Sequence, residues 1–192
     1  MGMPLILASG SPRRHAFLHL LGVEFEVACP DIDESPLAGE SPIEYVERLA
    51  REKCAIAVER IGKRSTSNVV LAADTTVELD GEVLGKPDDD ADAAAMLRRL
   101  SGRTHHVHTG IAVWRSPDIV TQVVTTDVTF VELSDDDIAW YVATGEPQGK
   151  AGAYAIQGAA GAFVKSISGA PSNVAGLPLA ETRALLRSAG VC

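Results

Sequence analysis

The dipeptide Asp80-Gly81 stands between two alternating arms in "TTVELDGEVLGKP", and it limits the fold more than any other stretch. Asp-Gly in that setting supplies the positive φ angles of a tight hairpin turn. The arm before it continues "NVVLAAD", an apolar run that reads as a buried strand closed by Asp74. A buried strand that turns straight back places an antiparallel pair in the sheet. This favours a mixed sheet over an all-parallel one.

Helices alternate with the strands. "LILASGSPRRHAFLHLLG" reads as strand, Ser/Gly loop and helix, with Ser11 as N-cap, Pro12 in the first turn, Phe17, Leu18 and Leu21 as the buried stripe, and Gly22 as the stop. "SPIEYVERLAREKCAIAVER" opens on a capping box of Ser41 and Glu44 around Pro42. "DADAAAMLRRLSG" is a helix ended by Gly102, "HVHTGIAVW" and "VVTTDVTFVEL" are strands, "SDDDIAWYVATG" is a capped helix stopped by Gly145, and "LPLAETRALLRS" is the last helix. The expected fold class is α/β with a mixed sheet, in one domain covering 1–192, since no repeat, linker or low-complexity tract marks a boundary.

A formal net charge of −9 argues against a polynucleotide as main partner, because nucleic-acid binding needs a broad basic face. A small polyanion held by local cations is still allowed. Cys29, Cys54 and Cys192 are widely spaced, which suggests reduced thiols without a disulfide framework or a zinc set. The start "MGMPLIL" lacks the basic leader and long apolar region of a signal peptide, and no apolar run approaches spanning length. The expectation is a cytoplasmic protein with no membrane partner.

Some residues sit where packing alone would not put them. Arg13 and Arg14 fall in a first helical turn, where free N–H groups and the macrodipole favour anions. A solvated pair and a bound phosphate are both open. On the second helix Ile43, Val46, Leu49, Ala50 and Ala57 share a face, and Lys53 lands about 20° from Val46, so its ammonium needs a partner or a cleft. Asp74 ends its apolar run where α/β sheets gather ligand groups, or else it is a turn acid. Lys86 follows the hairpin, where a solvated lysine is the commoner outcome. His106 and His108 share a strand face without a third metal ligand at a familiar spacing, and solvent-facing rings are expected. The acidic runs "DDDAD" and "SDDDI" fall at helix starts and serve the dipole.

Taken together, "LASGSPRR", "YVERLAREKCAIA", "LAADTTV", "GEVLGKP", "LSGRTHHVHTG", "GEPQGKAGAYAIQG" and "NVAGLPL" run nearly end to end in an order that resembles the Maf family of nucleoside triphosphate pyrophosphatases. The resemblance implies an elongated mixed-sheet α/β fold related to the inosine triphosphate pyrophosphatases, with a deep nucleotide cleft between two lobes. It implies cleavage of a nucleoside triphosphate to the monophosphate and pyrophosphate with a divalent metal, Mg²⁺ or Mn²⁺. Asp74 matches the proton acceptor. Arg13, Arg14, Lys53 and Lys86 match basic positions around the triphosphate, and Glu34 with Asp74 would serve the metal. Arg13, Thr75 and Gln157 look like the dTTP- and UTP-cleaving subgroup, and the Gln157 amide can both donate to a carbonyl and accept from the N3–H of thymine or uracil.

The chain departs from the family pattern at Gly149, where an acidic residue is expected, and at Ala170-Pro171, where a Ser-Tyr-like pair is more usual. Other readings stay open: a nucleotide-responsive regulator of cell division that binds without turnover, and the specificity for 7-methyl-GTP. A dinucleotide-binding fold lacks its glycine fingerprint. The resemblance also leaves a homodimer open.

Overall fold

The computed structural model describes residues 3–62 and 67–191. Met1, Gly2 and Cys192, which entered the reading of the chain's start and of its thiols, lie outside the described residues. Seven strands and six α-helices are present among them. The strands are β1 (Leu5–Leu7), β2 (Phe25–Val27), β3 (Val69–Leu79), β4 (Glu82–Leu84), β5 (Thr104–Arg115), β6 (Asp118–Phe130) and β7 (Val164–Ser168). The helices are α1 (Pro12–Leu20), α2 (Pro42–Ile61), α3 (Asp90–Leu100), α4 (Asp135–Val142), α5 (Pro171–Val174) and α6 (Leu179–Ala189). Strands neighbour one another in the order β2-β1-β3-β5-β6-β7, with β4 on β3. β1 pairs in parallel with β2 and β3, while β3–β4 and β6–β7 are antiparallel. The mixed α/β sheet read from the hairpin is therefore present. Asp80 and Gly81 take φ of 56° and 82° between Leu79 and Glu82.

The chain divides into two units, Met1–Asp74 with Thr109–Val124 and Gly176–Cys192, and Thr75–His108 with Thr125–Ala175. In the first, the strands are apolar on both faces. Leu5, Leu7, Val69, Leu71, Ile111 and Val113 pack with Leu18 of α1 and Leu186 of α6. Their alternates Ile6, Val70, Ala72, Ala112 and Trp114 pack with Ala50, Cys54, Ala57 and Val58 of α2. A continuous apolar strand run is what two covered faces require. Burial pushes the Cys54 thiol up to about 12, and Cys29 is exposed. The α2 stripe is narrower than read, since Ile43 lies exposed at the helix start.

In the second unit, Val77, Leu79, Val107, Val128 and Phe130 pack against Leu97 and Leu100 of α3 and Ile138 and Tyr141 of α4. The other strand face is polar. There His106 Nδ1 donates to Asp127 at 2.7 Å, and His108 Nε2 donates to Glu78 at 2.8 Å. The expectation of two solvent-facing rings fails at His108, which is buried because Glu78 and Thr125 supply partners on either side of the ring. The acidic runs do cap helices: Asp89 accepts the Asp92 N–H, and Ser134 forms a capping box with Asp137. Among the described residues no helix is long and apolar enough to cross a membrane.

His105 also lies in this core, its Nε2 2.8 Å from the Tyr154 hydroxyl and its ring edge-on to Phe130. Burial, helped by the neighbouring His106, pushes its pKa down from 6.5 to about 4. Above pH 6.5 both folded and unfolded rings are neutral, whereas between 6.5 and about 4 only the unfolded chain takes up the proton. Stability should therefore fall as the pH drops through that window, by up to about 3 kcal/mol from this group. Urea unfolding followed from pH 7 to 4.5 checks this. His105→Gln, which keeps a partner for Tyr154 and removes the titration, should show a shallower slope. Equal slopes would assign the proton uptake to other groups.

Candidate active site

The first unit assembles its charged residues from three local structures. β1 runs out at Leu7 into a loop that folds back on α1: Ser9 Oγ accepts from the Ser11 N–H at 3.3 Å and from Arg14 Nη1 at 3.1 Å. His15 Nε2 donates to the Ser9 carbonyl at 2.9 Å. Ser11 is the N-cap by backbone conformation but makes no side-chain cap, and Pro12 follows it. Arg14 Nε also donates to the Gly176 carbonyl at 2.8 Å. The guanidinium is thus held by the protein. Burial lowers its pKa, the Asp74 carboxylate opposes that, and Arg13 and Glu34 add smaller effects of opposite sign. Arg13 is half-buried beside it.

Lys53 is the centre of the second group. Its Nζ lies 2.6 Å from Asp74 Oδ1 and 2.6 Å from Glu34 Oε1, and its side chain is 12% exposed. The partner demanded by its place in the α2 stripe is therefore a pair of carboxylates. Asp74 shares the strand parity of Val70 and Ala72, which explains why it faces α2. It does not close its strand, however, as the sequence suggested: β3 runs through it to Leu79. A carboxylate can stand inside this strand because its neutralising partner, Lys53, comes from α2.

Glu34 has no regular secondary structure of its own and is held by α2. The Tyr45 hydroxyl donates to the Glu34 carbonyl at 2.8 Å, and Arg48 donates to the Ser35 carbonyl at 3.1 Å while pairing with Glu40. Burial, then the negative charges of Asp74 and Glu34, push the Tyr45 hydroxyl up to about 12. Ser9, Tyr45 and Arg48 were missed by sequence reasoning. The only available signal was their position inside segments already singled out for their neighbours.

Of the residues named from sequence, Arg13, Arg14, Glu34, Lys53 and Asp74 belong to this unit. Thr75, Lys86 and Gln157 belong to the other. Lys86 is exposed after β4, on a segment whose Gly85 carbonyl accepts the Gly152 N–H at 3.0 Å. Gln157 is exposed on the turn between Tyr154 and the 3₁₀ segment Ala159–Phe163. At the departures from pattern, Gly149 takes φ of 71° with open space around it. Ala170-Pro171 start α5, with the Ala170 N–H donating to Thr126 Oγ1 at 3.1 Å.

The arrangement offers two carboxylates converging on one ammonium, with guanidinium charge close enough for Arg14 to feel both acids. Its donors are all oxygen, which suits a hard divalent cation that takes one or two carboxylates and completes its shell with phosphate oxygens and water. Among the described residues no group of three or more His, Cys, Asp or Glu could hold a metal without such help. Glu34 and Asp74 fit that limited role.

A family profile described as Maf-like protein matches residues 4–189. The chain belongs to the Maf family. Among its relatives, a dTTP/UTP pyrophosphatase of Anaeromyxobacter dehalogenans (strain 2CP-C) is 53% identical, covering 99% of this chain and 96% of that one. A dTTP/UTP pyrophosphatase of Myxococcus xanthus (strain DK1622) is 53% identical over 97% of this chain and 93% of its own. Among solved structures, the Staphylococcus aureus Ham1 protein aligns over 69% of this chain and 72% of that one, with a TM-score of 0.42 and 19% identity. The Maf match spans both units, so the charged cluster and the turn bearing Gln157 fall within one family sequence.

Proposed function

We propose that this Maf-family chain hydrolyses dTTP and UTP to the nucleoside monophosphate and pyrophosphate. The observation that carries the reading is Lys53 held between Asp74 and Glu34 beside Arg14. The relatives named dTTP/UTP pyrophosphatase, at about half identity over nearly the whole chain, support the substrate class. In this reading 1–192 acts as one Maf-type domain in the cytoplasm.

Water is the nucleophile. Asp74 accepts one of its protons as the oxygen bonds to the α-phosphorus. The bond from that phosphorus to the α–β bridging oxygen breaks, and its electron pair leaves with pyrophosphate. Arg13, Arg14, Lys53 and Lys86 stabilise the charge that develops on the phosphoryl and leaving oxygens. Arg14 is already fixed by Ser9 and Gly176, so its charge needs no rearrangement at the moment of reaction. A divalent cation, held by Glu34 and Asp74 when bound, would polarise phosphate oxygens and orient the triphosphate. Gln157, with Arg13 and Thr75, selects the base: its amide matches the carbonyl and N3–H of thymine or uracil, whereas cytosine presents an acceptor at N3 and an amino donor and is matched only if the Gln157 amide turns over, a partial rescue.

The test is a panel of dTTP, UTP, CTP and 7-methyl-GTP assayed with Mg²⁺ or Mn²⁺ for pyrophosphate, with the reaction in ¹⁸O water. Label should enter the monophosphate, and kcat/KM for dTTP and UTP should lead CTP by about tenfold or more. Gln157→Glu should erode that lead. A diphosphate with free phosphate would overturn attack at the α-phosphorus. Stoichiometric binding without turnover would favour the regulator.

A further inference from the structure

The turn that carries Gln157 is suspended from one acidic side chain that the chemistry above does not use. Glu146 follows α4 in "TGEPQGK". Its Oε2 accepts the Ala159 N–H at 3.1 Å, and its Oε1 accepts the Tyr141 hydroxyl at 2.8 Å and the Ala160 N–H at 3.5 Å. Tyr141, buried in the core, in turn accepts the Ala155 N–H on its hydroxyl at 3.1 Å. Both ends of the segment 155–160 are thereby fixed, while Gln157 between them is exposed. Gly158 completes the arrangement. A Cβ there would meet both Glu146 carboxylate oxygens, so a side chain at this position would push the carboxylate off the amides it accepts.

From this geometry we infer that Glu146, through Tyr141 and the amides of the 155–160 turn, is the positioning residue for the base-selecting Gln157. The inference rests on the reading of Gln157 given above. Glu146 acts on specificity without touching the nucleotide. Three donors converge on its half-buried carboxylate, and removing the acceptor from such a set takes a partner from each of them. Burial alone would raise its pKa, but the Tyr141 hydroxyl and the two amides outweigh it and hold the carboxyl below its ordinary value. An ionised acceptor is therefore available at neutral pH.

The experiment compares Glu146→Ala, Glu146→Gln, Gln157→Ala and the double variant Glu146→Ala/Gln157→Ala, using dTTP and CTP with metal. Glu146→Ala should raise KM for dTTP about tenfold, change kcat less than about threefold, and shrink the dTTP:CTP preference toward that of Gln157→Ala. In the double variant the two effects should not add, because both act through one amide. Glu146→Gln retains an oxygen for the Ala159 N–H and should recover much of the preference. In parallel, hydrogen exchange of the Ala159 and Ala160 amides should quicken about tenfold or more in Glu146→Ala, with α3 and β5 amides unchanged. Unchanged preference together with unchanged exchange overturns the inference, as does full additivity with Gln157→Ala. If Gln157→Ala itself leaves the ranking intact, the base reading falls and the role of Glu146 in specificity falls with it, whereas an intact Gln157 effect beside an unchanged Glu146→Ala preference overturns the inference alone.

Discussion

Asp74→Asn should lower turnover of dTTP by at least about a hundredfold, the scale expected when a general base is lost. The substitution preserves shape, and the amide oxygen can still accept from Lys53, whose Nζ lies 2.6 Å from Asp74 Oδ1. On the proposed assignment, what is lost is the capacity to take a proton from water. Thermal stability should shift little, since Glu34 remains on the lysine at 2.6 Å. Steady-state kinetics with a pyrophosphate readout, beside a melting curve, separates the two effects. Near-normal turnover would place the base on another residue. A collapse of stability would instead make Asp74 chiefly a structural partner of Lys53.

Gly110→Ala should be among the most destabilising substitutions in the chain. A Cβ at Gly110 would lie 2.4 Å from the Val46 carbonyl oxygen, 2.7 Å from its carbon and 3.1 Å from the Glu47 nitrogen. These are backbone atoms of α2, so no rotamer change relieves the clash and the helix must move away from β5. Overpacking of this kind costs about 3 kcal/mol. Because α2 also carries Lys53, activity should fall with the fold. Gly85→Ala is the control: nothing lies within 4 Å of its added Cβ, and the change should stay within about 0.5 kcal/mol. Denaturant midpoints of the two variants check the contrast, and equal midpoints would mean that α2 yields freely at this crossing.

What the sequence disclosed follows the reach of the interactions involved. The Ser41–Glu44 capping box and the Asp80-Gly81 turn are closed within a few residues, so their chemistry is visible in a short window. Lys53 was legible for a different reason: a cation in an apolar stripe announces a partner without naming it. The partner's identity required Glu34 and Asp74, from separate parts of the chain. His108 was misread because Glu78, its relief from burial, belongs to another strand. The same holds for Asp74, which lies inside β3 while its partner Lys53 comes from α2. The crossing at Gly110 and the suspension of the 155–160 turn from Glu146 left no periodic mark, since the first brings β5 against the backbone of α2 and the second joins one carboxylate to amides outside its own local window.

The strand interior that bears Asp74 and the short turn that bears Gln157 also differ in how they can change over descent. Asp74 follows Val70, Leu71, Ala72 and Ala73, all fully buried, so a substitution within that run disturbs packing and a larger side chain at Asp74 has little room. Gln157 is exposed on a turn secured at neighbouring backbone amides, so its side chain can be exchanged while the turn keeps its form. On the proposed assignment, a lineage could acquire a new preferred base through single changes at Gln157 while inheriting the hydrolytic apparatus unaltered. Divergence of substrate range would then run ahead of divergence in reaction.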